Sequence, residues 1–247
     1  MDETIGWGLS NNSLYRQVIE KLKKEKMPFF AYIVTLTGHH PFNEMPKVEG
    51  ILPSESLPEI IKNYLNLCRY KDNALKKLFI LLEENGFLEN SVLIYFSDHD
   101  PGIFYEDIAK VLLKPCKIVE EYYSLERLPF LIYTKGIDPA KFFVNTGHID
   151  IAPTIAHLFG FDAENWNFFG NNLFSSKNER GIILPEGAVF DDNYFFDLNK
   201  SNCYERYTGR LLDIESCSNL RKDFLKIKEI SNWVLECNLF KNLVQIQ

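Results

Sequence analysis

Two apolar runs in this sequence each end abruptly in residues that can bind a metal ion or a phosphate group. The runs occupy residues 29–37 and 91–96, and their aromatic and β-branched side chains predict strands buried on both faces. The polar residues that follow them are His39 and His40 after the first run, and Asp98, His99 and Asp100 after the second. Because ligands gather beyond the carboxyl ends of parallel strands, these residues form the candidate functional site.

Segments with a helical pattern lie between and after the predicted strands. Apolar residues recur at helical spacing over residues 14–26, 58–84 and 151–158, and residues 128–134 form a third buried run. An alternation of helices with buried strands is typical of a parallel sheet covered by helices. The sequence therefore predicts an α/β fold, with a mainly parallel sheet flanked by helices.

The pattern changes after residue 160. Short strand-like runs follow at residues 181–184, 188–190, 194–196 and 210–214, and a last helix is predicted over residues 219–240. These elements predict a small C-terminal antiparallel sheet with a closing helix. Because no linker interrupts the chain, we expect a single domain over residues 1–247, made of an α/β part (1–160) and a β/α part (161–247).

The composition excludes several classes of protein. With 27 basic and 34 acidic residues the net charge is −7, and a protein that grips phosphates normally presents a basic face. We therefore expect no nucleic-acid partner. Since no apolar run reaches the length of a membrane span and the first residues do not form a secretory signal, we expect a cytoplasmic location if this chain is expressed alone.

The cysteine spacing predicts no structural zinc site, because no Cys-x-x-Cys pair occurs among the five cysteines. Cys203 and Cys217 would meet if the segments around them form a hairpin. Otherwise we expect mostly free, partly buried thiols, as in a reducing compartment or in a core without disulfide bonds.

The Asp98–His99 pair has two interpretations. At the end of a strand, a carboxylate oxygen and an imidazole nitrogen can both turn toward a divalent cation. Alternatively, Asp98 caps a turn and His99 is a surface histidine. The pair alone does not decide between these interpretations.

The residues around these positions resemble a known family. Residues 29–42, which end in Thr-Gly-His-His-Pro-Phe, are similar to the signature of the lipoteichoic acid synthase family, in the sulfatase-like branch of the alkaline phosphatase superfamily. Four further segments match that family in the same order: Gly-Trp-Gly-Leu at 6–9, Ser-Asp-His at 97–99, the Asp-x-x-Pro-Thr helix starting at 150, and Gly-Asn-Asn-Leu-Phe at 170–174.

This resemblance implies a sulfatase-like fold and a role for three residues. Asp98 and His99 match the family's ligands for a manganese or magnesium ion, and His39 matches the histidine that binds the substrate phosphate. The family transfers glycerol phosphate from phosphatidylglycerol to a hydroxyl group, through a threonine nucleophile. His40 stands where the family often has an aromatic residue, and His148 has no required role. Asp150 is expected to cap the helix that starts at residue 151.

The resemblance also implies that part of the machinery lies elsewhere. The nucleophilic threonine and a further acidic ligand of the metal are expected upstream of this chain, so we assign no catalytic residue within it and expect the isolated chain to be inactive. It would then be a C-terminal half that exposes an unpaired sheet edge and needs a second chain, or a split or truncated product. The family's domain faces outward from a membrane.

Two other functions remain open at this point. A sulfatase or phosphodiesterase-type hydrolase is a close variant within the same superfamily. A non-catalytic binding module that kept the fold but lost the chemistry is the alternative from a different class. Metal binding separates them, because a relic module would bind no cation.

Overall fold

The computed structural model describes residues 2–44, 55–112, 127–161, 168–175, 181–184 and 187–239. The described residues up to Pro139 form one compact unit, and those from Ala140 onward form another. The single domain expected over residues 1–247 stays a prediction.

The first unit begins with a two-stranded hairpin, which leads into a helix. β1 (Thr4–Ile5) pairs antiparallel with β2 (Gly8–Leu9), and Gly6 makes the turn with a φ of 63°. Helix α1 (Asn11–Leu22) follows directly, because the Ser10 hydroxyl accepts the backbone N–H of Ser13 at 3.2 Å and caps its first turn. The predicted helix is therefore present, but it ends before residue 26.

Helix α2 (Glu59–Glu84) is the long helix predicted over residues 58–84. Gly86 follows it with a φ of 73°, a left-handed conformation that ends a helix without the strain a side chain would bring. The buried side chains of α2 and α1 form the core of this unit: Tyr15, Ile19, Ile61, Leu67, Tyr70, Ala74, Leu78 and Leu82. Among the described helices, none has both the length and the apolar character needed to cross a membrane.

The sheet of the first unit corrects the predicted architecture. β3 (Val92–Phe96) and β4 (Phe130–Thr134) pair antiparallel, with Val92 opposite Thr134 and Phe96 opposite Phe130. The short helix α3 (Tyr105–Leu112) lies between them in the chain. Every sheet in the described ranges is antiparallel, so the mainly parallel sheet expected from the sequence is not observed. An apolar run predicts that a strand is covered, but it carries no information on strand direction.

The run at residues 29–37 also differs from its prediction. It forms no hydrogen-bonded strand, and Phe30, Tyr32 and Val34 are 79%, 67% and 60% exposed. Two ring contacts place it beside the β3 region: Phe29 lies 6.1 Å from Phe87, and Tyr32 lies 6.5 Å from Phe96, between ring centroids. The sequence pattern of a buried strand is therefore present here on a segment whose apolar side chains, from Phe29 to Leu36, are exposed to solvent.

The second unit contains a short helix, an antiparallel sheet and a closing helix. Helix α4 (Ile151–Leu158) has the predicted bounds, and helix α5 (Ser218–Glu236) is the predicted closing helix. The five strands pair in chain order: β5 (Ile182–Leu184), β6 (Ala188–Phe190), β7 (Tyr194–Asp197), β8 (Asn202–Glu205) and β9 (Leu211–Leu212). The small C-terminal antiparallel sheet is thus observed, with β8 as a strand that the pattern did not indicate.

A disulfide bond joins the sheet of the second unit to the turn before α5. Cys203 on β8 and Cys217, at the end of the 3₁₀ turn Ile214–Cys217, are bonded, with their Cα atoms 5.8 Å apart and both residues 1% exposed. Cys68 and Cys237 are free, and Cys116 lies outside the described residues. The hairpin-dependent pairing considered from the sequence is therefore present.

Reduction of this disulfide should weaken the second unit alone. The bond closes a loop with a sequence separation of 14, and a loop of that size contributes about 3 kcal/mol through the entropy of the unfolded chain. We expect hydrogen exchange of the β7 and β8 amides to accelerate after reduction, while the α2 amides keep their protection. Unchanged exchange in β8, with thiol titration confirming reduction, would contradict this prediction.

Alkaline pH should destabilise the first unit. Burial raises the pKa of Tyr15 from 10.0 to about 12. Between these values the unfolded chain loses a proton that the folded chain keeps, so stability is complete below about pH 10 and falls by roughly 2–3 kcal/mol as pH approaches 12. Urea unfolding at about pH 9 and pH 11 should show about half of this loss, and Tyr15→Phe should make it smaller. Equal losses of stability in the unmodified chain and in Tyr15→Phe would contradict the assignment of this pH dependence to Tyr15.

Candidate functional site

The structure brings His39 and His99 together. His39 follows the 29–37 run, His99 follows β3, and their ring centroids are 5.7 Å apart with the rings nearly perpendicular, at 81°. Both residues belong to the first unit. Two histidines that follow different apolar runs, 60 positions apart in the sequence, thus form one cluster.

Backbone hydrogen bonds fix how the two imidazoles present their nitrogens. His39 Nδ1 lies 2.8 Å from the carbonyl oxygen of His40, and His99 Nδ1 lies 2.6 Å from the carbonyl oxygen of Asp100. Because a carbonyl only accepts, each Nδ1 donates and carries the proton in the neutral ring. Each Nε2 is then left with a lone pair that can bind a cation or, when protonated, can donate to an anion.

Asp98 supplies one carboxylate to this cluster. Its side chain is exposed, and Oδ1 accepts the backbone N–H of His99 at 3.1 Å and lies 3.8 Å from His99 Nε2. Carboxylate oxygen and imidazole nitrogen both suit manganese, whereas magnesium prefers oxygen. Among the described residues, however, no group of three or more His, Cys, Asp or Glu could hold a metal ion. Asp98 and His99 therefore provide part of a coordination shell, and the described residues do not complete it.

Trp7 is a neighbour of His39 that sequence analysis treated only as part of a family word. Its indole ring lies 4.2 Å from the His39 ring, between centroids, at a tilt of 32°. The β1–β2 hairpin presents it, and the Gly6 N–H donates to Glu44 Oε2 at 2.9 Å. The Trp-Gly-Leu and His-His-Pro-Phe words therefore meet at one place.

His40 and Asp100 have local contacts that explain them without a ligand. The exposed His40 ring packs edge-on against the buried Phe42 ring at 5.4 Å. Asp100 Oδ1 accepts the backbone N–H of Gly102 at 2.6 Å and so shapes the turn after His99. Neither contact brings these side chains into the His39–His99 pair.

The first unit contains two partly buried tyrosines, Tyr64 and Tyr95, of which Tyr64 is close to Asp100. Burial is the main reason that the pKa of Tyr64 and the pKa of Tyr95 are both raised, and the neighbouring Cys68 raises each further. Tyr64 also packs against Phe42, with ring centroids 5.3 Å apart. At neutral pH these phenols are uncharged, so they add no negative charge to the carboxylates of Asp98 and Asp100.

Lys71 is a second residue that the sequence reading missed. A Cβ built on Gly38, the residue before His39, would lie 3.0 Å from Lys71 Cδ and 3.1 Å from its Nζ. The lysine of α2 therefore lies against the backbone that precedes the candidate phosphate ligand. Only the three-dimensional packing of α2 on this loop reveals the proximity, since the two residues are far apart in the sequence.

In the second unit, the Asp150 motif is structural. Its buried carboxylate accepts the backbone N–H groups of Gly147 at 2.8 Å and of Asn171 at 2.7 Å. Asp150 is the N-cap residue of α4, as the sequence predicted, but its side chain makes no capping hydrogen bond to that helix. Thr154 Oγ1 donates to the Asp150 carbonyl and accepts the Leu173 N–H at 3.1 Å. The two family words at 150–154 and 170–174 are thereby hydrogen-bonded to each other.

Gly170 makes this contact possible. A Cβ at that position would lie 1.7 Å from the carbonyl oxygen of Ile149, which no side chain can tolerate. The backbone of the 170–174 word therefore approaches the turn before α4 more closely than any residue with a Cβ permits. His148 lies exposed in that turn, the 3₁₀ segment His148–Asp150.

Comparison with protein families now gives the class of this chain. Residues 2–161 match the model described as Sulfatase, which is more than half of the sequence. The chain belongs to the sulfatase family. More particularly, it is similar to lipoteichoic acid synthases and to structures of the alkaline phosphatase superfamily.

Curated relatives are similar along nearly the whole chain. The lipoteichoic acid synthase-like YvgJ of Bacillus subtilis is 30% identical over 242 residues, and the match covers 95% of this chain and 39% of that protein. Lipoteichoic acid synthase 1 of the same organism is 29% identical, covering 97% of this chain and 38% of the relative. The lipoteichoic acid synthase of Staphylococcus aureus is 28% identical, with 96% and 37% covered. The chain spans about two fifths of the length of these relatives.

Solved structures support the same fold. The lipoteichoic acid synthase LtaP from Listeria monocytogenes superposes with a TM-score of 0.66 at 25% identity, over 91% of this chain and 58% of that one. A protein of the alkaline phosphatase superfamily from Vibrio parahaemolyticus gives a TM-score of 0.67 at 20% identity, with 94% and 58% covered. The superfamily fold expected from the sequence is thus confirmed, although the described sheets are antiparallel.

The Gly170 contact yields a test with a matched control. Gly170→Ala should destabilise the second unit by about 3 kcal/mol, because the backbone must move to admit the methyl group. Gly147→Ala should cost little, since among the described residues a Cβ there would meet only Ile182 Cγ2, at an ordinary 3.6 Å, and its φ of −127° suits any residue. Urea unfolding of both variants measures the difference, and equal stabilities would show that the close approach is not required.

Proposed function

We propose that this chain carries the phosphate-binding and part of the cation-binding residues of a phosphoglycerol transferase domain. The observation that carries the proposal is the meeting of His39 with His99, each with its Nδ1 bonded to a backbone carbonyl and its Nε2 left for a ligand. Similarity to lipoteichoic acid synthases supports glycerol phosphate as the transferred group and phosphatidylglycerol as its donor.

His39 would hold the substrate phosphate by donating from a protonated Nε2. The indole of Trp7 covers one part of the His39 ring, and the Nδ1 bond restricts its rotation. An imidazole fixed in this way loses little side-chain entropy when it binds a phosphate oxygen, and a charge-assisted hydrogen bond results. This preorganisation favours His39 over the more exposed His40, whose ring packs on Phe42.

Asp98 and His99 would contribute two ligands to a divalent cation, manganese or magnesium. Manganese fits the nitrogen donor better than magnesium does. When bound, such a cation neutralises negative charge on a phosphoryl group. Because the described residues do not complete the coordination shell, we propose that a segment outside them supplies the remaining ligand together with the threonine nucleophile.

The exposed run at residues 29–36 supports a further covering segment. Its apolar side chains are typical of a strand buried on both faces, yet Phe30, Tyr32 and Val34 are open to solvent. The relatives are more than twice the length matched here. We propose that another part of the sulfatase-like fold, on the same or on a separate polypeptide, covers this run and completes the site.

The buried disulfide favours an outward-facing location for this domain. Disulfides form and persist in oxidising compartments and are rare in the cytoplasm. The Cys203–Cys217 bond therefore agrees better with the outward-facing domain that the resemblance implies than with the cytoplasmic location expected from the absence of a signal.

A sulfatase or phosphodiesterase-type hydrolase is the second candidate function, because the matching family model is described as Sulfatase. Both candidates use a cation and an anion-binding histidine, and they differ in the acceptor of the transferred group. Incubation with p-nitrophenyl sulfate and bis-p-nitrophenyl phosphate tests the hydrolase directly. Turnover of either compound by this chain alone would also contradict the proposed location of the nucleophile outside it.

Glycerol phosphate binding tests the role of His39. We expect glycerol 1-phosphate, in the presence of Mn²⁺, to bind the 247-residue chain, as followed by binding-dependent changes in its NMR spectrum. His39→Ala should weaken this binding by about tenfold or more, since a charge-assisted hydrogen bond is lost. The adjacent and exposed His40 offers the control, and His40→Ala should leave the affinity within about twofold. Equal effects of the two variants would refute the assignment.

Manganese binding tests Asp98 in the same way. Asp98→Asn should weaken Mn²⁺ binding, measured by electron paramagnetic resonance, by about tenfold because the charged oxygen ligand is lost. Asp138→Asn removes the same charge from an exposed position of the first unit and should change nothing. If Asp98→Asn binds Mn²⁺ like the unmodified chain, the cation site is elsewhere and the relic-module alternative gains support.

A further inference from the structure

Lys71 is a partly buried cation beside the candidate phosphate ligand. Its side chain extends from α2 to the backbone of Gly38, where a Cβ would come within 3.1 Å of Nζ. Gly38 has a φ of 93°, so glycine is favoured there by conformation as well as by space. The absence of a side chain at residue 38 thus lets the ammonium group reach the residue directly before His39.

The charge of Lys71 has no carboxylate partner among the described residues. The residues one turn away on α2 are Leu67 and Cys68 on one side and Ala74 and Leu75 on the other, none of which is acidic. Its sequence neighbour Asp72 pairs instead with Arg69, at 3.6 Å.

Three other lysines of α2 either pair with a carboxylate or are exposed to water. Lys62, also partly buried, pairs with Glu59 at 3.6 Å, whereas Lys76 and Lys77 are exposed to water. The one described aromatic contact of Lys71 is the Tyr64 ring, whose centroid lies 5.9 Å from Nζ. A cation–π contact at that distance compensates only weakly for the lost hydration. Lys71 therefore lacks the carboxylate that normally accompanies a partly buried cation.

The surroundings of the Lys71 ammonium group favour the binding of an anion. A phosphate bound by His39 would bring negative charge close to the carboxylates of Asp98 and Asp100, and their repulsion must be offset. The ammonium of Lys71 supplies a positive charge and up to three N–H donors next to the backbone that carries His39.

We propose that Lys71 is a substrate-binding residue that contacts a non-bridging oxygen of the phosphate held by His39. This inference rests on the proposed function, because it places Lys71 at the same phosphate. It identifies the substrate as a phosphate ester whose anionic oxygens reach the Gly38–His39 backbone. No bond of the substrate is made or broken by Lys71.

The test measures glycerol 1-phosphate binding to the full 247-residue chain with Mn²⁺ present. Lys71→Met keeps the apolar stem and removes the charge, and it should weaken binding by about tenfold. Lys71→Arg should restore most of the affinity, because the charge returns. Lys76→Met, on the same helix but exposed, removes an equal charge and should leave the affinity within about twofold. Mn²⁺ binding should be the same in all four proteins.

The outcomes separate this inference from the proposed function. If His39→Ala loses binding while Lys71→Met binds like the unmodified chain, Lys71 has no role and the proposed function stands. If the unmodified chain binds neither glycerol 1-phosphate nor inorganic phosphate, both proposals fall. Equal weakening by Lys71→Met and Lys76→Met would reduce the effect to net charge and overturn the inference. Lys71→Gln, a second neutral variant, decides the matter should Lys71→Met not fold.

Discussion

One buried hydrogen bond supports the candidate site. The backbone N–H of Asn11, in the first turn of α1, has no partner within its own helix and donates to Thr37 Oγ1 at 3.0 Å. Thr37 lies two residues before His39, so this bond ties the start of α1 to the loop that carries the histidine. Trp7 lies on the β1–β2 hairpin that precedes α1, and its ring contacts the His39 ring on this loop. The His39 ring in turn contacts the ring of His99.

The family words therefore divide into two kinds. Those of the first unit converge on the two histidines and on Asp98, where chemistry is possible. Those of the second unit hydrogen-bond to each other. The Asp150 carboxylate accepts two backbone N–H groups, and Gly170, which has no side chain, lets the two backbone segments approach closely. Motifs shared with one family thus form a candidate site in one unit, whereas in the other unit their hydrogen bonds join them to each other.

Charge and exposure both point to an arrangement larger than the described residues. Asp98 and His99 are two ligands, the apolar run at 29–36 is open to solvent, and Lys71 is a cation without a carboxylate among its described neighbours. Each of these features costs free energy as it stands, through exposed apolar surface or unpaired charge. A bound phosphate, a cation and a covering segment would lower each of those costs.

The sequence by itself predicted the positions of α1, α2, α4 and α5 and of most strands of the C-terminal sheet, and it supplied the candidate site residues. Apolar periodicity located α2 and α4, because local side-chain pattern reports which face of an element is buried. The polar residues after two apolar runs, together with the family resemblance, made His39, Asp98 and His99 the candidate site residues. Tertiary structure alone decided the antiparallel pairing of β3 with β4, the solvent exposure of the apolar side chains at 29–36, and the placement of Lys71 and Trp7 beside the histidine. Strand direction and contacts between distant residues depend on how the elements pack, and no local pattern encodes that packing.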